Sequence, residues 1–160
     1  MADLDEIYHT RILELAAAIP RTERLADPDA RASAHSKLCG STIDVDVKLS
    51  DGRVVDFGQT VKACLLGQAA ASVVGREIIG TPIEEFTDIA DTMRRMLKED
   101  GPPPQGRWAD LAVLEPVRDY KARHASTLLV FDALRKAINE AEGEHGKSGE
   151  QPTTAATTET

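Results

Sequence analysis

The sequence predicts an α+β domain in which a small antiparallel β-sheet is covered by helices on one face. Three observations lead to this fold class. Strand-like alternation is concentrated in residues 43–61, helix-like periodicity dominates the chain from residue 66 onward, and 160 residues suffice for one core. We therefore expect a folded domain at residues 1–142. The Gly, Ser, Thr, Gln and Glu composition of residues 143–160 predicts a disordered tail, because it buries little apolar surface.

The first predicted helix is amphipathic and ends before Pro20, since proline lacks the backbone donor that a helix interior requires. Its apolar residues recur every three or four positions, at Leu4, Tyr8, Ile12, Leu15 and Ile19. A polar connection follows, within which Arg31 to Ser36 weakly encodes a short edge strand.

A β-hairpin is the most clearly encoded feature of the chain. Apolar and polar residues alternate from Ile43 to Ser50, which is typical of a strand with one buried face, and Asp51-Gly52 has the composition of a tight hairpin turn. The second strand is predicted from Val54 to Val61. Its buried face would carry the alternating residues Val55, Phe57, Gln59 and Val61.

Helical patterns dominate the rest of the chain. A helix begins after Cys64 and is expected to pack its Ala-rich face on the sheet and to stop at Gly80. Thr81-Pro82-Ile83-Glu84 resembles a capping box at the start of the next helical segment, which reaches Leu97 either unbroken or interrupted near Asp88. A Gly- and Pro-rich loop follows at residues 101–106.

Two further helices are predicted after that loop. The apolar residues Trp108, Leu111 and Leu114 indicate a short helix that Pro116 ends. The last periodic stretch begins around Arg123 and has a core-facing side.

The charge and composition exclude several classes of protein. The formal net charge is −8 and no basic cluster is visible along the chain, which argues against nucleic acid or an anionic membrane surface as a partner. No apolar run approaches the roughly 20 residues of a membrane span, and the N-terminus lacks the pattern of a signal peptide. We expect a cytoplasmic protein whose cysteines are reduced, metal-bound or reactive.

The only two cysteines are predicted to lie at the same end of the hairpin. Cys39 precedes its first strand and Cys64 follows its second, and paired strands are about 5 Å apart. Cys64 also lies near a helix N-terminus, which favours an anionic thiolate. The residues alone leave two interpretations open: a pair of functional thiols, or inert cysteines at the boundaries of secondary-structure elements.

Four motifs in order resemble one protein family. They are Pro20-Arg21 after a helix, Cys39-Gly40 before a hairpin, Ala63-Cys64 before an Ala/Ser-rich helix, and Arg123 three residues before Ser126. Together they resemble the iron–sulfur cluster assembly scaffold family, the U-type scaffolds of the Nif, Isc and Suf systems. The resemblance covers residues 4–142, and the 62-residue interval from Cys64 to Ser126 is similar to the Suf-type branch.

The resemblance implies a metal site and shows where this chain departs from it. In the family pattern three cysteines and one aspartate surround the metal. Cys39 and Cys64 match two of the thiols, whereas Ser41 stands at the aspartate position and Ser126 at the third cysteine position. A serine hydroxyl is protonated at neutral pH and is a weaker ligand than a thiolate for iron–sulfur clusters or zinc.

Three basic or imidazole side chains near these positions are further candidates for the site. Arg123 is either a partner for an anionic sulfur or a solvated residue at the start of a helix. His124 is an alternative nitrogen ligand, although adjacent helix residues face about 100° apart. His35 is either another ligand or an exposed loop histidine.

The resemblance further implies a scaffold rather than an enzyme. It would assemble a transient cluster, with [2Fe–2S] expected, between Cys39 and Cys64, receive sulfur from a cysteine desulfurase and pass the unit to apo iron–sulfur proteins. A homodimer would provide four thiolates. Two alternatives are a zinc-dependent sulfur-transfer protein and an interaction module of the same fold that binds no cofactor.

Overall fold

The computed structural model describes residues 10–37 and 40–150, the last seven as backbone only, and confirms the predicted α+β class. The elements are α1 (Thr10–Ala17), β1 (Ala30–His35), β2 (Thr42–Ser50), β3 (Arg53–Lys62), α2 (Leu65–Glu77), α3 (Ile83–Lys98), 3₁₀ segments at Gly106–Asp119 and Lys121–Arg123, and α4 (His124–Glu150). Leu4 and Tyr8 of the predicted first helix lie outside the described residues. No helix of the described ranges is long and apolar enough to cross a membrane.

The sheet has three antiparallel strands in the order β1-β2-β3. The weakly encoded edge strand is present as β1, and His35 at its end lies opposite Thr42. In the β2–β3 hairpin Thr42 also pairs with Lys62, so the end of β1, the start of β2 and the end of β3 lie together. Asp51 and Gly52 both have positive φ, at 53° and 74°, as a two-residue type I′ turn requires.

A register shift in the hairpin corrects the predicted alternation of β3. Lys48 pairs with Asp56, but the next residue of β2, Leu49, pairs with Val54, so β3 contains one extra residue. A bulge of this kind reverses which side chains face the core. Val54 is therefore buried, and Val55, which we expected on the buried face, is 43% exposed.

Helices α2 and α4 contact the sheet to different extents. Helix α4 packs on β1 and β2, while α2 packs mainly against α1 and α4 and contacts the sheet chiefly at β3. The Ala-rich surface of α2 contacts the sheet at β3, as expected, where Gln59 donates to the Ala71 carbonyl, and it also packs against the neighbouring helices, which we did not expect. A helix surrounded by other elements becomes apolar on nearly all sides, and Leu66 to Gly75 are buried except for Gln68.

A loop covers the outer face of the sheet and buries one charged residue. Asp46, at a polar position of β2, is fully buried because Arg24 and Arg31 and the Leu25 amide donate to its carboxylate over 2.7–3.0 Å. Burial opposes ionisation, but the hydrogen bonds from Arg24 and Leu25 outweigh it and hold the pKa of Asp46 below its ordinary value. The sequence pattern had indicated an exposed polar face at this residue.

The start of α3 differs from the predicted capping box. Pro82 is the residue before the first helical turn and provides no side-chain cap, whereas the buried Thr81 hydroxyl donates to the Glu77 carbonyl at the end of α2. Thr81 also accepts from Arg107, so this threonine connects α2 to the 3₁₀ segment. Helix α3 itself continues without a break past Asp88.

Two predicted ends lie further along the chain in the structure. The first 3₁₀ segment continues through Pro116 to Asp119, since the φ of about −65° that proline imposes is compatible with 3₁₀ geometry. Helix α4 runs to Glu150, beyond the predicted domain boundary at residue 142. The division into a domain and a tail stays a prediction, and residues 151–160 lie outside the described residues.

Candidate functional site

Cys64 lies at the junction between β3 and α2, as predicted. It is the N-cap residue of α2, with extended backbone angles of φ −68° and ψ 171°, and it is partly buried. The extended conformation carries the chain from the end of β3 into the helix and places the thiol beside another element. Its Sγ lies 3.5 Å from Oγ of Ser126 in the first turn of α4.

Ser126 is the buried residue that Cys64 contacts. It is fully buried, and its hydroxyl donates to the Arg123 carbonyl over 3.2 Å and is within hydrogen-bonding reach of the Cys64 thiol. The residue at the family's third-thiol position therefore contacts the residue at its second. We expected these positions to share a site, and the fold brings together two residues 62 apart in sequence.

Gly67 makes this contact possible, and our sequence analysis did not identify it. A Cβ atom at Gly67 would lie 2.9 Å from the Ser126 carbonyl oxygen and 2.9 Å from Cβ of Ala63, closer than ordinary packing allows. Only glycine therefore lets the first turns of α2 and α4 approach this closely. The available signal was a glycine inside a helical pattern, which costs about 1 kcal/mol relative to alanine and often has a packing reason.

The segment that contains Cys39 connects β1 to β2 at the same end of the sheet. Cys39 itself lies outside the described residues. On either side of it, the Ser36 amide donates to the Ser41 carbonyl over 2.9 Å and the Gly40 amide to the Ser36 carbonyl over 2.8 Å. Together with the pairing of Thr42 and Lys62, these bonds hold the flanking residues near the strand end that leads to Cys64. The distance between the thiols stays a prediction.

Ser41 and Arg123 are two further residues of the predicted site. Ser41 is buried, with 4% of its surface exposed. The Arg123 backbone carbonyl accepts hydrogen bonds from Ser126 and Thr127, so this residue organises the start of α4. Its partly buried guanidinium makes no hydrogen bond or ion pair within the described ranges, which leaves it available to an anion.

Neither histidine contacts Cys64 in the part of the chain that the structure describes. His124 is 5% exposed, and its Nε2 lies 3.1 Å from the Val117 carbonyl and 3.0 Å from that of Arg118. Two acceptors require a proton on Nε2, so this nitrogen anchors α4 to the preceding 3₁₀ segment. His35 is exposed on β1, and its Nδ1 lies 3.3 Å from the Thr42 hydroxyl.

The donor atoms present do not fit a resident zinc ion. Zinc sites use three or four thiolate, imidazole or carboxylate ligands. No group of three or more such side chains that could hold a metal occurs among residues 10–37 and 40–143. Cys39 would add one thiolate to Cys64, while the family's remaining two positions offer only the hydroxyls of Ser41 and Ser126.

Comparisons with known proteins place these observations in a family, although no family model matches the chain. The crystal structure of a nitrogen-fixing NifU-like protein (N-terminal) from Brucella abortus is 55% identical, with a TM-score of 0.86. The match covers 88% of this chain and 98% of that one.

Two curated relatives are more distant. The iron–sulfur cluster assembly scaffold protein IscU of Thermotoga maritima is 24% identical over 132 residues, covering 82% of this chain and 92% of the relative. The zinc-dependent sulfurtransferase SufU of Bacillus subtilis is 24% identical over 142 residues, covering 89% and 96%. The recognition based on four short motifs is confirmed, and the chain belongs to the family of NifU-like iron–sulfur cluster assembly scaffold proteins.

Proposed function

We propose that this protein is an iron–sulfur cluster assembly scaffold that binds iron and sulfur through Cys39 and Cys64 and passes the unit to apo-proteins. The observation that carries the proposal is the 3.5 Å separation of Cys64 Sγ and Ser126 Oγ. It brings two of the family's ligand positions together at the starts of α2 and α4. The protein then acts as a carrier, with the cluster as its cargo, rather than as an enzyme.

The number of thiols supports a cluster shared between two chains. A [2Fe–2S] cluster held by protein thiolates takes four of them, whereas this chain contains only two cysteines. Two copies would provide all four. Cys64 is suited to such sharing because it lies at the surface end of a helix and is only partly buried. A cluster bound across two chains is released when the chains separate, which suits transient assembly.

The sulfur would come from a cysteine desulfurase. A thiolate of the scaffold attacks the outer sulfur of the desulfurase persulfide, the sulfur–sulfur bond of the donor breaks, and the donor cysteine leaves as a thiolate. One sulfur atom moves without net oxidation or reduction. The unpaired guanidinium of Arg123 at the border of the site would stabilise the negative charge on the transferred sulfur.

Zinc-dependent sulfur transfer is the second candidate, because a relative that this chain covers over 96% of its length is a zinc-dependent sulfurtransferase. Serine at both substituted positions argues against it, since the remaining donors do not complete a zinc site. An interaction module without cofactor is the third candidate, and it predicts that loss of either cysteine has no effect in cells.

Anaerobic reconstitution with ferrous iron and sulfide tests the proposal. We expect visible absorption from a bound cluster, a stoichiometry of one cluster per two chains, and a dimer whose population rises with protein concentration. Cys64→Ala should abolish the colour, whereas Ser72→Ala, a matched change in the same helix, should retain it.

A protein that stays colourless at every concentration would contradict the scaffold proposal. Equal complementation of a scaffold-deficient cell by the parent and by Cys39→Ser and Cys64→Ser variants would favour the interaction module. Zinc retained in equimolar amount after purification, together with persulfide on either cysteine, would favour zinc-dependent sulfur transfer.

A further inference from the structure

Three chain segments meet at the Cys64 end of the molecule, and none of them contains an acidic residue. They are residues 36–37 and 40–41 between β1 and β2, residues 60–68 from the end of β3 into α2, and residues 120–127 from the second 3₁₀ segment into α4. Contacts already described join them: Thr42 pairs with Lys62, and Cys64 contacts Ser126. Acidic residues account for 27 of the 160 positions in the chain, so their absence from these three segments is a local departure from its composition, although Asp44 of β2 pairs with Thr60 beside them.

Basic residues occupy the same three segments. Lys37, Lys62 and Lys121 are exposed, and Arg123 is partly buried. We call these four residues the basic rim. The nearest acidic residues along the chain lie just outside the segments: Asp44 accepts a hydrogen bond from Ser33, and Asp119 also has a partner. The rim therefore carries four positive charges with no acidic residue in its own segments.

Two helix N-termini add to the positive potential of this end. Helix α2 begins directly after Cys64, and helix α4 begins at His124, next to the rim residue Arg123. A helix N-terminus acts as about half a positive charge, because its first amides lack intrahelical partners. The helix N-termini and the side chains of the basic rim thus both contribute positive charge near Cys64.

We propose that the basic rim docks an acidic protein surface, a cluster of Asp and Glu carboxylates on the partner that exchanges cargo at Cys64. Charge complementarity favours an acidic partner. The chain has a net charge of −8 and as a whole repels acidic surfaces, whereas the basic rim attracts them. The inference rests on the proposed function for the identity of the cargo, but the docking itself does not require either thiol.

Electrostatic docking of this kind controls how fast and in which orientation partners meet. Steering by a charged patch raises association rates by at least about tenfold at low ionic strength and weakens as salt screens the charges. A partner steered to the rim would approach with its acidic surface over Cys64. The net negative charge elsewhere would disfavour other orientations, including unproductive contacts of the sheet's outer face.

Binding of a fluorescent twelve-residue poly-Glu peptide tests the proposal, with a poly-Lys peptide and a Gly-Ser peptide of equal length for comparison. We expect the full-length protein to bind only the poly-Glu peptide and to lose affinity steadily with added salt. The charge-reversed double variant Lys62→Glu/Lys121→Glu should bind it at least about tenfold more weakly. Both residues are exposed, and circular dichroism checks that the variant is folded.

A matched double variant distinguishes the effect of charge in the basic rim on peptide binding from the effect of the protein's net charge. Arg94→Glu/Lys98→Glu makes the same change in net charge on the exposed side of α3, which contributes no residue to the rim. At 0.1 M salt, where the Debye length is about 10 Å, we expect it to bind the poly-Glu peptide within about twofold of the parent, because neither residue belongs to the segments that form the rim. Equal losses in the two double variants would overturn a specific docking surface.

Other results of the binding experiments also bear on the docking surface. No binding of poly-Glu at low salt, or equal binding of poly-Lys, would overturn the proposal. Binding of single-stranded RNA or of phosphatidylserine vesicles in preference to poly-Glu would replace the acidic protein with another anionic partner and would equally overturn it. If the parent protein stays colourless on reconstitution while it and Cys64→Ser bind poly-Glu equally well, the docking surface is sustained and the proposed function is contradicted.

Discussion

Two sites beside the sheet differ in how fully their polar side chains are hydrogen-bonded. On the outer face, the buried Asp46 carboxylate accepts four hydrogen bonds, from Arg24, Arg31 and the Leu25 amide. At the strand end, Cys64 is partly buried and contacts the hydroxyl of Ser126 at 3.5 Å. A saturated buried group stabilises the fold, whereas a partly exposed thiol with unused bonding capacity can bind cargo. Four predictions test this contrast.

Replacing Ser126 with cysteine should produce the largest change. Ser126→Cys places a third thiolate next to Cys64 and completes the three-thiol pattern of the family, so we expect zinc to bind about a hundredfold more tightly. Competition with a chromophoric chelator measures this affinity. Ser72→Cys adds a thiol elsewhere on α2 and is the control. Equal affinities of the two variants would show that Ser126 is not at a ligand position.

Loss of the Asp46 charge should strongly destabilise the protein. Asp46→Asn removes the negative charge and replaces one acceptor oxygen with an NH2 donor that faces the guanidinium groups of Arg24 and Arg31, so the free energy of unfolding should fall by about 2 kcal/mol. Urea unfolding measures the difference. Asp44→Asn, on the same strand with a single hydrogen bond to Ser33, should cost about 0.5 kcal/mol. Similar costs for the two variants would remove the contrast between the regions.

A methyl group at Gly67 should separate the two helix starts. Gly67→Ala places Cβ 2.9 Å from the Ser126 carbonyl oxygen, and overpacking of this kind costs about 1–2 kcal/mol. Because α2 must shift, cluster reconstitution should also decline. Gly143→Ala is the control, since a Cβ there meets nothing within 4 Å in a helix that gains from alanine. A Gly67→Ala protein as stable as its parent would contradict the packing argument.

The smallest effect concerns acid stability. The folded-state pKa of Asp46 is lowered, since the hydrogen bonds from Arg24 and Leu25 outweigh the opposing effect of burial. Its contribution to stability is therefore present above the unfolded-state pKa of about 3.9 and is lost as the pH falls through the folded-state value. Between pH 5 and pH 3 the parent should lose more stability than Asp46→Asn, as measured by urea unfolding at each pH. Parallel losses would contradict the assignment.

The sequence predicted the hairpin and the helix after Cys64 because each depends on local patterns. Alternation, the Asp51-Gly52 turn and helical periodicity involve residues within a few positions of one another. The β-bulge at Val55 and the burial of Asp46 escaped prediction, since the first depends on pairing with Leu49 and the second on a loop that folds back over the sheet.

The sequence by itself determined the order of strands and helices and the family, because short-range periodicity specifies the elements and four ordered motifs indicate the family. The tertiary structure decided which residues share the site and which charges surround it. Ser126, Gly67 and the basic rim come together through packing between segments that are up to about ninety residues apart in the chain. A local pattern cannot report such contacts, since they depend on how the elements pack against one another.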